Sequence, residues 1–348
     1  MIRPRRLKGS IRRARRVVVK GIENAFGMVR PMSRRALVRE DLPAPVTDVL
    51  FSRLGNDDFE ALSAKLSAED RAYWMQQERG SVAWKRAAVH YSVHYGSNGS
   101  AGPANLVRAA PPAGVHAMSR GSRAAGGSIY HADLIFGALK LARADLPPGG
   151  RILDFGCSSG RVIRVVKAYR PDLDCHGCDP NEAAIRWATD NLPDISFAVS
   201  PLHPPLSHAS SSFDCVFGIS VWSHFGHAAA SSWLIEINRL LKPGGVLILT
   251  THSFGSVAYF TSKGLRAIED MRTVLSSMLV SGFGFLGVFG KSGDWGIVDP
   301  DWGEAYISPE WLLNSVTPQW EVLLYRTSAN EDNQDLAILR KRDVAAVE

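Results

Sequence analysis

Residues 151–166 read RILDFGCSSGRVIRVV. An apolar run ends on Asp154, the small residues Gly156, Cys157, Ser158, Ser159 and Gly160 follow, and then a helical pattern begins. Small residues in a strand-to-helix seam let a ligand approach the backbone, because glycine has no Cβ in the way. In open parallel sheets such ligands sit beyond the carboxyl ends of the strands. The two glycines do not make Gly-x-Gly-x-x-Gly, because Ser158 stands where its second glycine would be, and no P-loop lysine follows. The seam is built for close approach and is poorly suited to a pyrophosphate. Asp179 comes 19 residues after Gly160, in the stretch CDPN. A carboxylate at the end of a second strand can accept hydrogen bonds from both hydroxyls of a ribose. Such charge-assisted bonds are worth roughly 1.5–3 kcal/mol each. The same charge repels a 2′-phosphate, so the ligand expected here carries an unmodified ribose.

These residues need strands to hold them. The pattern predicts a helix over 129–143, a strand over 151–155, a helix over 160–169 and a strand over 174–178. A helix over 181–191, strands over 195–199 and 213–219, a helix over 228–241 and a strand over 245–251 follow. This alternation predicts a parallel sheet covered on both faces. Two further strands, over 321–326 and 336–339, are separated by too few residues for a helical crossover and should pair antiparallel. The stretch RLLKPGG, 239–245, reads as a helix end and a turn into a strand, with no chemistry of its own.

The 348 residues carry a net charge of +6, but the charge is uneven. Residues 1–40 hold 13 Arg or Lys and two acids, leaving 27 basic against 32 acidic residues in the remainder. The overall basicity therefore belongs to an arm, and a nucleic-acid partner is not expected of the mildly acidic body. In the arm, Ile11, Ala14, Val18, Ile22 and Phe26 fall near a helical stripe with most basic residues off it. That suits peripheral contact with an anionic membrane; a disordered basic tail or an organelle transit peptide has the same composition. We divide the chain into a basic arm (1–45), a helical extension with a Gly/Ser/Pro-rich linker (46–127) and the strand–helix body (128–342). Ser67 and Asp70 form a capping pattern in the extension. No secretory leader or membrane span is read, so a cytoplasmic protein, with membrane association through the arm, is expected.

All four cysteines lie between 157 and 215, with no secreted disulfide framework. Cys175 and Cys178 invite a zinc reading, but residues three apart in a strand face opposite ways, so no metal site is assigned.

ILDFGCSSGR, CDPN, FDCVFGISVWSHF and LLKPGGVLILTTH, in this order and spacing, resemble the successive motifs of class I S-adenosylmethionine-dependent methyltransferases. The resemblance covers about residues 128–342. It implies an α/β, Rossmann-like sheet of seven mostly parallel strands, with one antiparallel strand between the fifth and sixth and helices on both faces. It also implies S-adenosyl-L-methionine as cofactor. Asp154 and the loop Gly156, Cys157, Ser158, Gly160 would hold its methionine end, and Asp179 with Pro180 its ribose. Ser200 and Leu202 would flank the adenine, and Ser220 and Val221 would face the methyl group. Two positions depart from the family pattern: Ser158 replaces a glycine, and Ser200 replaces an Asn or Asp.

In the family's chemistry an acceptor must lie in line behind an activated methyl, and orientation alone can supply about 7–11 kcal/mol. His224, in VWSHFG, is the candidate base or orienting group. His252 after the fifth strand and Tyr306 with Trp302 in DPDWGEAYIS are further candidates for the acceptor side. For His224 the plain alternative is a histidine that bonds a backbone group at the strand end, and for Tyr306 and Trp302 it is a loop aromatic packed on the core. The expected acceptor is a small molecule, a sugar, or a glycan- or lipid-linked intermediate. An inactive cofactor- or partner-binding member, a nucleic-acid methyltransferase and a nicotinamide-dependent oxidoreductase are the competing readings.

Overall fold

The chain turns on β1 (Arg151–Phe155), whose alternate residues go to opposite sides. Ile152 packs into one core, while Leu153 and Phe155 pack into another. The same alternation runs through β4 (Phe213–Gly218), where Cys215 and Phe217 face one core and Val216 the other. Strands apolar on both faces need helices over both, as expected of a parallel sheet. The computed structural model describes residues 42–95, 103–116, 128–294, 297–316 and 318–343; residues 1–41 of the basic arm lie outside them.

β1 pairs in parallel with β2 (Asp174–Asp179) on one side and β4 on the other. β2 pairs with β3 (Ser196–Val199), and β4 with β5 (Leu241–His252), both in parallel. β9 (Gln334–Lys341) runs antiparallel to β5, and β8 (Trp320–Asn330) runs antiparallel to β9. That reproduces the expected order, with the antiparallel strand inserted beside the fifth. Among the described residues, however, the expected seven strands are nine. β6 (Phe283–Leu286) and β7 (Glu304–Ile307) form an antiparallel pair that joins the end of β5 through His252 and Tyr306. Glycine-rich 282–290 gave this short strand no alternating pattern by which to read it.

Helices α5 (Ile129–Ala142), α6 (Ile163–Tyr169), α7 (Glu182–Asn191) and α8 (His227–Leu240) follow the sequence reading closely. α6 begins later than expected because Gly160, at φ +72°, keeps the chain in a turn. Cys175 packs in one core and Cys178 in the other, as the strand period requires.

Among the described residues four α-helices precede α5: α1 (Pro45–Ser52), α2 (Asn56–Lys65), α3 (Ala68–Met75) and α4 (Val82–Tyr95). Ser67 caps α3 by accepting from Asp70 N at 3.0 Å. The extension packs into the sheet's own core: Val46, Leu50, Val89 and Val93 cluster with Ile129 and Ile135. Buried Asp133 of α5 accepts from the backbone N–H groups of Val46 and Thr47, each at 2.9 Å, and from Arg86 at 2.8 Å. Leucine 106, fully buried in that core, carries the segment 103–116 onward toward the strand ends. Beyond β5 come α9 (Phe254–Lys263) and α10 (Ile268–Ser281), and α11 (Pro309–Val316) precedes β8. Among the described residues, no helix is long and apolar enough to cross a membrane.

Candidate cofactor and acceptor site

At the carboxyl end of β1 the chain bends at Gly156, φ +79°. Gly156 N and Cys157 N both donate to the carbonyl of Cys178, at 2.8 and 3.0 Å, which pins the bend to β2. A Cβ at Gly156 would lie 2.6 Å from Val221 Cγ2, so only glycine fits between the bend and the β4 end. The space beyond is a cavity of about 360 Å³, within the usual range for small-molecule sites.

One end of the cavity is polar. Gly156, Ser158, Asp179 and Pro180 line it, with Ser200 and Leu202 from beyond β3 and Ser220 from beyond β4. Asp179 is buried, and its two carboxylate oxygens accept from Ser158 N at 2.8 Å and Asn181 N at 2.9 Å. Burial pushes this carboxyl above its ordinary range, against the pull of those two N–H groups. Each oxygen has a further lone pair to offer a hydroxyl. Ser220 is held in the left-handed region, φ +60°, by bonds that reach across the sheet. Its N–H donates to Thr250 Oγ1 at 2.8 Å and its hydroxyl to Gln334 Oε1 at 3.0 Å.

The other end is aromatic. Phe155, Phe225, Trp233, Phe289 and Trp302 line it with Val221 and His224. His224 stacks on Trp302, ring centroids 4.9 Å apart. Its Nδ1 lies 2.8 Å from the carbonyl oxygen of Gly303. A carbonyl only accepts, so Nδ1 carries the proton and Nε2 carries the lone pair. Burial pulls the His224 pKa down more than the Gly303 carbonyl raises it, so the ring is neutral at neutral pH.

Five of the expected site residues stand outside the cavity wall. Gly160 is a packing glycine: a Cβ there would meet Leu192 Cδ1 at 2.7 Å and Phe197 Cζ at 2.9 Å. Cys157 is buried behind the bend, its thiol pushed well up by desolvation. Asp154 is buried beneath the bend, where desolvation raises its pKa to about 8. Tyr306 is fully buried and donates to Glu304 at 3.1 Å. His252 is buried against Tyr306 and Phe260, and desolvation first, then the neighbouring His224, lowers its pKa to about 3. Both sit one layer behind the wall because β7 pairs with the end of β5 there.

Other lining residues were not legible beforehand. Trp233 falls one helical turn after Ala229 on α8, a face that helical spacing could have marked. Phe289, Asp294 and Asp299 come from a glycine-rich stretch without periodicity, and His116 comes from the linker.

The residues present fit an adenosyl cofactor. The bend leaves no room for a Cβ, the buried carboxylate of Asp179 stands beside it with lone pairs to spare, and Asp154 Oδ2 is buried with no hydrogen-bond partner. The strand order, the antiparallel closing strand and this strand-end cavity are those that the resemblance to class I S-adenosylmethionine-dependent methyltransferases implies. Residues 153–247 match the family described as methyltransferase domain. Over 118 residues the chain is 33% identical to the uncharacterized methyltransferase YodH of Bacillus subtilis, covering 33% of this chain and 48% of that one. Over 120 residues it is 31% identical to the ubiquinone/menaquinone biosynthesis C-methyltransferase UbiE of Burkholderia mallei, covering 32% of this chain and 47% of that one. The chain thus spans about half the length of these curated relatives. Among solved structures, a SAM-dependent methyltransferase from Methanosarcina mazei is similar at TM-score 0.42 and 20% identity, over 57% of this chain and 94% of that one.

Proposed function

We propose that the protein transfers a methyl group from S-adenosylmethionine to a small, flat, apolar acceptor that carries an ionisable hydroxyl. The observation that carries this reading is the division of the cavity. Its Asp179 end has the hydrogen-bonding groups for a nucleoside, and its His224 end is walled by aromatic rings. When bound, the cofactor supplies an activated methyl. Asp179 would accept from its ribose hydroxyls, Ser200 and Leu202 would flank its base, and the bend at Gly156 would admit its amino-acid portion. Phe225, Trp233 and Trp302 would hold the acceptor flat and exclude water, and Nε2 of His224 would take the hydroxyl proton as that oxygen gains the methyl and the cofactor's sulfur loses it. Asp294 and Asp301 stand beside these rings, with Trp302 Nε1 donating to Asp294 Oδ2 at 3.3 Å. The UbiE and 2-methyl-6-phytyl-1,4-hydroquinone methyltransferase relatives, by their names, act on quinone-type compounds, which agrees with an aromatic acceptor.

The test is calorimetry with S-adenosylhomocysteine, followed by transfer of a labelled methyl to a panel of hydroquinones, phenols and sugars. Micromolar binding with label on an aromatic acceptor is expected. No binding, or label on sugars only, would overturn the reading.

A further inference from the structure

Ser158 is the position where the chain departs from a glycine, and it stands in the left-handed region, φ +51°, that glycine enters without strain. The side chain there has a partner. Ser158 Oγ donates to the carbonyl of His116 at 2.9 Å and lies 3.3 Å from His116 Nδ1. The same residue's N–H donates to Asp179. One serine therefore joins the ribose-binding carboxylate to the segment 103–116, and His116 lines the cavity beside Asp179. A second tie lies one turn further along. Arg164, buried in α6, donates to the carbonyls of Gly160 and Ser159, at 3.2 and 3.1 Å, and to that of Ala109 at 2.5 Å. The segment is thus fastened at Leu106, Ala109 and His116, and its last described residue is part of the cavity wall.

We infer that residues 103–116 form part of the cofactor site, clasped over it by Ser158, and that this clasp is why serine stands where a glycine would relax the backbone. The inference rests on the cofactor reading above. The hydroxyl closes the mouth of the cavity against His116, slowing departure of the adenosyl ligand and holding Asp179 in register through the same residue.

The test compares wild type, Ser158→Gly and Ser158→Ala. Glycine removes the hydroxyl and the positive-φ strain together; alanine removes the hydroxyl alone. We expect thermal stability of Ser158→Gly to equal or exceed that of wild type. We expect both variants to bind S-adenosylhomocysteine about tenfold more weakly, with a faster off-rate. Without ligand, amide hydrogen exchange of a 106–116 peptide should rise about tenfold in both. His116→Ala should weaken binding in the same direction. If wild type binds and the Ser158 variants bind equally well, the clasp is refuted while the cofactor reading stands. If wild type does not bind, the cofactor reading falls and the assignment of 103–116 to a cofactor site falls with it. Unchanged exchange in the variants refutes the clasp independently of any ligand.

Discussion

Nδ1 of His224 donates to the carbonyl of Gly303, 79 residues away in sequence, at 2.8 Å. The backbone alongside is tied in the same way: Gly303 N donates to His224 O at 2.9 Å and Ala305 N to Ser223 O at 2.8 Å. The ring is thereby fixed in one tautomer with its basic nitrogen opposite Gly303. If that nitrogen takes a proton during transfer, His224→Gln should lower kcat by roughly 10²–10⁴. Binding of S-adenosylhomocysteine should stay within about threefold, because His224 belongs to the aromatic end. Because burial lowers its pKa, activity should hold across neutral pH and fall only on acidification below the ordinary histidine range. A variant with wild-type kcat would show that transfer needs no base.

Asp179 already accepts two backbone N–H groups and would add two ribose hydroxyls. Asp179→Asn removes the charge and one accepting oxygen. The Kd for S-adenosylhomocysteine should rise tenfold or more, in line with about 1.5–3 kcal/mol for each charge-assisted bond. Calorimetry giving an unchanged Kd would remove the ribose assignment.

The two glycines of the seam should fail differently. In Gly156→Ala the new Cβ meets Val221 at the cavity floor and the positive φ is strained, so ligand binding should be lost even in whatever fraction folds. In Gly160→Ala the clash is with Leu192 and Phe197 of the core. The positive φ is strained there too, so its main effect should be a loss of stability, with overpacking alone costing about 1–3 kcal/mol, seen as a lower melting temperature. Paired thermal melts and calorimetry separate the two; equal binding losses at equal stability would erase the distinction.

His252 is buried and its pKa is lowered to about 3, from 6.5 in an exposed histidine. Between those values the unfolded chain binds the proton and the folded chain does not, so stability is lost as pH falls from about 6.5 toward 3. The slope from this residue approaches about 1.4 kcal/mol per pH unit. Denaturant unfolding at pH 5 and pH 7 should show the difference, and His252→Gln should flatten it. An identical slope in the variant would assign the acid sensitivity to other groups.

Tyr306, buried behind the wall, should matter for stability and not for turnover. Tyr306→Phe removes its bond to Glu304 and should cost about 0.5–1.5 kcal/mol. Its kcat should stay within about threefold of wild type; a hundredfold loss would return Tyr306 to the reacting groups.

The strands and helices around the seam were legible because each is set by local pattern. β1 carries an apolar run, α8 repeats at helical spacing, and the bend at 156 needs a glycine whatever lies beyond it. Asp179 was legible for the same reason, since the length of one strand–helix–strand unit places it at a strand end. Which side chains reach the cavity was decided by tertiary packing. Adjacent strand residues point to opposite faces, so β5 and β7 carry His252 and Tyr306 behind the wall although both are near the site in sequence terms. Likewise Ser158 meets His116 and His224 meets Gly303 through contacts 42 and 79 residues apart, and no local preference encodes such meetings. They exist because the folded cores bring those segments together, and only then do Ser158 and His224 acquire the partners that give them their roles.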